Sequence, residues 1–419
     1  MPQNQNHLLA TALVLLATLA APLPAAAKPK PPKWVGTWAA SPCAPSFPTA
    51  TPPPIRFSNQ TLRERVHTTI GGEEIRLTLT NLFGHEPLTL GSIHVALSPQ
   101  PGEIAPATDH LVTFHGQPSV IVPQGGVVFS DPIPLHLAPA SDLSISLYLP
   151  HTVTEATTHY TALSSTFIAD GDQTTAPTLS TADRSSSWFF LSGVAVAASP
   201  SASSIVTLGS STTDGDHSTS GKNLRWPDDL FRRLLAAQPK SQRSVLNEGL
   251  SGNRILHNGV NRFAARFGES ATVRFDRDVL AQPGVKFLIL FEGGNDITHP
   301  GGTAPASETV TPAQLIDGLR QLALRAHQHG IKVIGGTITP FEGLTGNTYN
   351  AEREAMRMQV NDWILHTSDL DGAVDFAKAV ADPTHPSRFL PAFDSGDHLH
   401  PNDAGYQAMA DSIPLQLLK

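Results

Sequence analysis

The feature that most constrains this chain is a change of hydrophobic period near residue 200. Before it, apolar residues recur at every second position. In "EEIRLTLTNLFG" Ile75, Leu77 and Leu79 alternate with Arg76, Thr78 and Thr80, and in "DLSISLYLP" Leu143, Ile145, Leu147 and Leu149 keep the same spacing. Period two puts one set of side chains on one face of a strand, so these segments are half-buried strands. Similar runs, "SIHVAL", "SVIVP", "VVFSDPIPLHL" and "WFFLSGVAV", are separated at short intervals by Gly, Pro, Asp and Ser, with no amphipathic helix pattern between them. Such strands pack as a β-sandwich of jelly-roll type, expected over residues 55–200.

After Ser204 short apolar runs, "SIVTLG", "SVLNEG", "VKFLILFEGG" and "IKVIGGTI", alternate with helical stretches near 223–238, 311–329, 350–366 and 402–417. Strict alternation of strand and helix implies a parallel sheet covered on both faces, expected over 201–419. Trp226, Leu230 and Leu234, like Leu315, Leu319 and Leu322, follow helical spacing and read as core contacts. The stretch "AASPSASS" reads as the linker between the two parts, and a chain of 419 residues has room for both.

The N-terminus carries an apolar run from Leu8 to Ala20, then Ala25, Ala26 and Ala27 before Lys28. That pattern reads as a secretory signal over 1–27, although no Lys or Arg precedes the run. The run falls short of the ~20 residues needed to span a bilayer, and Pro22 and Pro24 break any continuation of it. Export with removal of the signal, to a secreted or periplasmic location and without stable membrane insertion, is therefore expected. Residues 28–54 are rich in Pro, Ala, Ser and Thr around the run "WVGTW" and read as an extended lead-in.

Formal charge is −8 and the basic residues are scattered, which excludes a phosphate-backbone footprint and makes nucleic acid an unexpected partner. Cys43 is the only cysteine, so the chain has no internal disulfide and no thiolate zinc cluster. In "SPCAPSFP" nothing would lower the thiol pKa, and Cys43 is not expected to act as a nucleophile.

In open parallel sheets, ligands bind beyond the carboxyl ends of the strands. There this chain offers Gly209, Ser210 and Ser211 after the first run, "EGLSGNR" after the second and "EGGND" after the third, with "DSGDHLHP" ahead of the last helix. Together these supply a hydroxyl, permissive backbone amides, a carboxamide and a histidine with nearby carboxylates, the parts needed for acyl transfer through a serine ester.

On these motifs the region 203–419 resembles the SGNH, or GDSL-type, hydrolase superfamily, whose fold is a flavodoxin-like parallel sheet. Four motifs occur in the family's order: "GSS" at Gly209–Ser211, "LSGNR", "GGND" and "DHLHP". The resemblance implies that Ser211 is the nucleophile, that His400 is the base and Asp397 its orienting partner, and that Gly252 and Asn295 complete an oxyanion hole with the Ser211 amide. It also implies no metal and no cofactor. Ser210 departs from the pattern, standing where the family usually has Asp, a position that shapes the loop and is not the nucleophile.

Rival residues are weighed by position. His299 and His385 also precede prolines, but only His400 combines an Asp at minus three with a helix signal, "PNDAGY", directly after it. Asp394 lies one turn farther from His400 than Asp397, and Asp216 and His217 read as loop residues or substrate contacts. Three functions are compared. The leading one is a secreted serine ester hydrolase acting on small-molecule or polysaccharide esters with short acyl groups, such as acetylated carbohydrate, with a lysophospholipase or lipase-type esterase as its variant. A metal-dependent hydrolase built on "DGDH" and "DHLH" lacks a recognised ligand spacing. A non-catalytic glycan-binding protein would leave the four intact motifs without a purpose.

Overall fold

In the computed structural model the described residues are Met1, 32–45, 55–179, 182–238, 242–346 and 348–419. The signal expected over 1–27 therefore lies outside them apart from Met1, as do residues 28–31 and 46–54. Among the described residues no helix is long and apolar enough to cross a membrane.

The period-two segments form two antiparallel sheets. One has four strands in the order Lys33–Ala39, Leu191–Ala198, Ile75–Thr80 and Val127–Phe129; the other has six, with Gln60–His67 and Asp142–Leu149 at its centre. Ile75, Leu77, Leu79, Leu143, Ile145, Leu147 and Leu149 are all fully buried and belong to one apolar cluster, as their alternation requires. On Asp142–Leu149 the intervening Ser144 and Ser146 are buried too, because Arg63 and the Gly102–Glu103 loop cover that face: Ser144 Oγ donates to Glu103 O, and Arg63 donates to Ser146 Oγ and Gly102 O.

The lead-in expected over 28–54 needs correction. Lys33–Ala39 is an edge strand of the four-stranded sheet, mostly buried, paired antiparallel with Leu191–Ala198. Its apolar residues Val35 and Trp38 decide this, since an exposed tether would leave them in water. The strand also leans on the second part of the molecule. Gly36 N donates to Pro283 O, and a Cβ at Gly36 would lie 2.7 Å from Leu246 Cδ1, so a side chain there would have to displace the Leu246 methyl. The "AASPSASS" stretch is likewise no flexible linker, since strand Leu191–Ala198 passes through a turn at 199–202 directly into strand Ser203–Gly209.

The second part is a five-stranded parallel sheet in the order Arg243–Gly249, Ser203–Gly209, Val285–Phe291, Lys332–Gly336, Gly372–Val374. In chain order this is 2-1-3-4-5, the flavodoxin-like arrangement expected from the sequence, with its switch point between Ser203–Gly209 and Val285–Phe291. The long helices are Trp226–Ala237, Pro312–Gln328, Ala351–His366 and Asp403–Ser412. Thr311 opens one with a capping box to Gln314, and Asn350 and Asn402 cap two others. The last helix stops earlier than its sequence pattern suggests because Pro414 comes directly after its C-cap.

Ile205 faces an apolar cluster that it shares with the sandwich, while Val206 and Leu208 face a second cluster with Leu319 and Leu322. One core thus runs from the sandwich into the hydrolase sheet, and Lys33–Lys419 form one compact unit. A shared core couples the unfolding of both parts. Calorimetry of the chain from Lys33 onward is expected to give one cooperative transition whose calorimetric and van't Hoff enthalpies agree; two separated transitions would show that the parts melt independently.

Candidate active site

Strand Ser203–Gly209 ends at the switch point, and Ser211 opens the single helical turn Ser211–Asp214 directly after it. As the first residue of a helix, Ser211 has a backbone N–H without an intrahelical partner. His400 comes from the other end of the chain, on the loop before Asp403–Ser412. Its Nε2 lies 2.8 Å from Ser211 Oγ and its Nδ1 2.5 Å from Asp397 Oδ2. A carboxylate only accepts, so Nδ1 carries the proton and Nε2 is left to accept from the serine hydroxyl.

Asp397 is held by its own loop. Its Oδ1 accepts from the backbone N–H of Leu399 and His400 and from Ser395 Oγ. Burial opposes the charge, but the hydrogen bonds and charge of His400, with those backbone donors, outweigh it and hold the carboxyl well below the usual carboxylate range. The rival Asp394 is occupied elsewhere, on His398 Nδ1 at 2.6 Å and the N–H of Gly396. Ser210 contributes its carbonyl to Thr213 and Asp214 N–H, and it is Ser211 that meets His400.

Gly252 and Asn295 flank the same strand ends. Gly252 has φ +81°, and a Cβ there would lie 1.9 Å from Phe267 Cδ1, so this loop conformation needs glycine. Asn295, on the short helix Gly294–Thr298, donates from Nδ2 to Asn253 O at 2.9 Å; its second Nδ2 proton remains for a ligand. Asp296 joins the same two motifs by accepting from Ile255 and Leu256 N–H. Beside Ser211 lies a cavity of about 30 Å³, bordered by Asn295, Thr298, Phe291, Ile338 and Phe341.

His217, placed on the loop by sequence, stacks on His400 with ring centroids 5.2 Å apart, and its Nε2 lies 3.3 Å from Asp397 Oδ2. Asp216 accepts from Ser251 Oγ. His299 packs on Phe267, and His385 lies on an exposed hairpin. Cys43 is buried, and that burial, with the charge of Asp214, pushes its thiol far up. It is thus unsuited to nucleophilic attack.

Sequence patterning missed the layer beneath these residues. Arg274 is fully buried and donates to Asn253 Oδ1, Ser41 Oγ, Glu248 O, Asp278 Oδ2 and Gly209 O. In sequence, "VRFDRD" looks like a solvated i,i+4 pair on a helix surface. Nearby, burial pushes Glu292 up to about 8, an effect Arg274 only partly offsets.

Both groups bear on stability. Arg274→Met leaves Asp278 with Arg277 but removes its second guanidinium and frees two buried carbonyls, and is expected to cost about 3 kcal/mol, read from the denaturant midpoint. For Glu292, the folded protein retains a proton that the unfolded chain releases near 4.5, so its contribution is complete below that pH and declines as pH rises toward about 8. Glu292→Gln is expected to flatten this part of the stability–pH curve; an unchanged slope would rule Glu292 out as its source.

Residues 207–408 match the GDSL-like lipase/acylhydrolase family. Among solved structures the chain is similar to a variant of an acetyl xylan esterase from Geobacillus stearothermophilus, with 21% identity, coverage of 52% of this chain and 95% of that one, and a TM-score of 0.39. It is also similar to a GDSL-like lipase from Bacteroides thetaiotaomicron, with 17% identity, 51% and 87% coverage and a TM-score of 0.37. No curated protein matches it. The family match thus falls on the hydrolase part of the chain, which over residues 207–408 is similar to GDSL-like lipases and acylhydrolases.

Proposed function

We propose that the protein is an exported serine esterase that removes acetyl-sized acyl groups through an acyl-Ser211 intermediate. The observation that carries this reading is the continuous chain of hydrogen bonds from Ser211 Oγ through His400 to Asp397. In the first half-reaction Ser211 Oγ attacks the ester carbonyl carbon while His400 Nε2 takes its proton. The tetrahedral intermediate places its negative charge on the former carbonyl oxygen, toward the N–H groups of Ser211 and Gly252 and the free Nδ2 proton of Asn295. The bond to the leaving oxygen breaks as His400 returns the proton to it, releasing the alcohol. Water repeats the sequence: His400 takes its proton, the hydroxide adds to the acyl carbon, and Ser211 Oγ departs with the proton, releasing the acid.

The acyl size is argued from the cavity beside Ser211. On the measure by which one water needs ~10–15 Å³, its roughly 30 Å³ admits about two water-sized groups, enough for an acetyl methyl and too little for a fatty chain. A polar alcohol moiety suits the half-exposed groups near the triad, His217 beside Asp397 and Arg266 beside Asp216. Acetylated carbohydrate is accordingly the substrate class. Export rests on the sequence over 1–27, and a mature N-terminus at Lys28 in the extracytoplasmic fraction checks it.

Three measurements test this function. A fluorophosphonate should modify Ser211, mapped by peptide mass spectrometry, and a clean Ser211 with an adduct at Ser218 would overturn the assignment. Ser211→Ala should cost several orders of magnitude in kcat, Ser210→Ala about tenfold or less, and Gly252→Ala about 100- to 1000-fold. Across 4-nitrophenyl esters of increasing chain length, with acetylated xylan alongside, kcat/KM should be highest for acetyl and drop at butyryl and beyond. A maximum at octanoyl or longer would identify a lipase-type site.

A further inference from the structure

The sandwich segment 159–162 reaches the turn that carries Ser211. His159, at the end of strand Thr158–His159, is 5% exposed and packs on Trp188. Its Nδ1 lies 2.9 Å from Ser41 O and its Nε2 3.1 Å from Asp214 Oδ1. A carbonyl and a carboxylate both accept, so both ring nitrogens donate and the ring is an imidazolium. Burial works against that charge; the charge and hydrogen bond of Asp214 and the Ser41 carbonyl outweigh it and raise the His159 pKa.

Asp214 ends the helical turn that Ser211 begins. Its second oxygen, Oδ2, accepts from both the N–H and the Oγ of Ser251, the residue before Gly252. The sandwich touches Ser251 a second time, through Thr161 Oγ1 at 3.1 Å. Arg225 fixes the same junction, donating to Asp214 O and to Ala162 O. The nucleophile turn and the oxyanion loop thus share one carboxylate, and the cation that neutralises it comes from the other half of the chain. Without His159, Asp214 would be a buried carboxylate with one oxygen unpaired, free to turn and take Ser251 with it.

We propose that His159 is a positioning residue for ester hydrolysis: through Asp214 and Ser251 it fixes the Gly252 N–H relative to Ser211, so the β-sandwich completes the active site. The inference rests on the esterase reading above and goes beyond it, because the family motifs all lie in the hydrolase part while this residue lies in the sandwich. Its action is geometric. Donors in an oxyanion hole help only where the charge develops, and a shift of about 1 Å is enough to cost about 100-fold.

The test uses the full chain and 4-nitrophenyl acetate, with active sites counted by phosphonate titration. His159→Gln and Asp214→Asn should each lower kcat per titrated site about 10- to 100-fold with KM changed less than about threefold. The double variant should lose no more than the worse single one, because both changes cut the same path. A purely structural contact would lower Tm and the titrated fraction while leaving kcat per site unchanged, and that result overturns the proposal, as do losses that multiply in the double variant. If either buried variant fails to fold, Thr161→Val carries the test: a fall in kcat per site at retained Tm supports the positioning role, and unchanged kcat overturns it. Failure of the esterase reading would look different, since the unmodified protein would then neither hydrolyse the ester nor react with the phosphonate.

Discussion

The guanidinium of Arg274 is the interaction on which the site most depends. It is buried completely, yet it reaches acceptors on three strand ends and two motifs: Gly209 O beside the nucleophile, Glu248 O on the neighbouring strand, Asn253 Oδ1 in the second motif, and the Glu292 carboxyl at 3.4 Å before the third. Loops at the end of a parallel sheet are otherwise tied only to their own strands, and a planar donor with five N–H groups can fix several at once. The cation is compensated mainly by Asp278, which burial alone would neutralise but which Arg277 and Arg274 hold in its charged form. Glu248 goes the other way, pushed up by burial and by the charge of Asp278.

Ser41 shows that this layer is not private to the hydrolase. Its hydroxyl lies within hydrogen-bonding distance of Glu248, Asp278 and Arg274, while its carbonyl accepts from His159. The stretch around it comes directly after strand Lys33–Ala39, so the first described strand of the chain leads into the polar layer below the first three motifs. Buried polar layers of this kind tolerate little misplacement, since each unsatisfied group costs its full desolvation. Together with the apolar cluster that runs from the sandwich to Ile205 and Trp226, they make the sandwich part of the hydrolase's foundation.

Local repetition and short spacing account for the features legible before folding. Period two marked the sandwich strands, alternation of apolar runs and helices marked the parallel sheet, and the four motifs pointed to Ser211, Gly252, Asn295, Asp397 and His400 as a set. Asp397 and His400 were legible as a pair because three residues of spacing already brings a carboxylate under an imidazole, and their backbone contacts lie within one loop. The features that emerged only with the folded chain involve partners far apart in it: His159 with Asp214, Ser41 with Glu248, Arg274 with Gly209, and the strand at Lys33–Ala39 that composition presented as a tether. No periodicity marks such residues, because a buried charge has the same local sequence signature as a solvated one. Its partner is chosen by how the strands stack, and that choice exists only once the chain has folded.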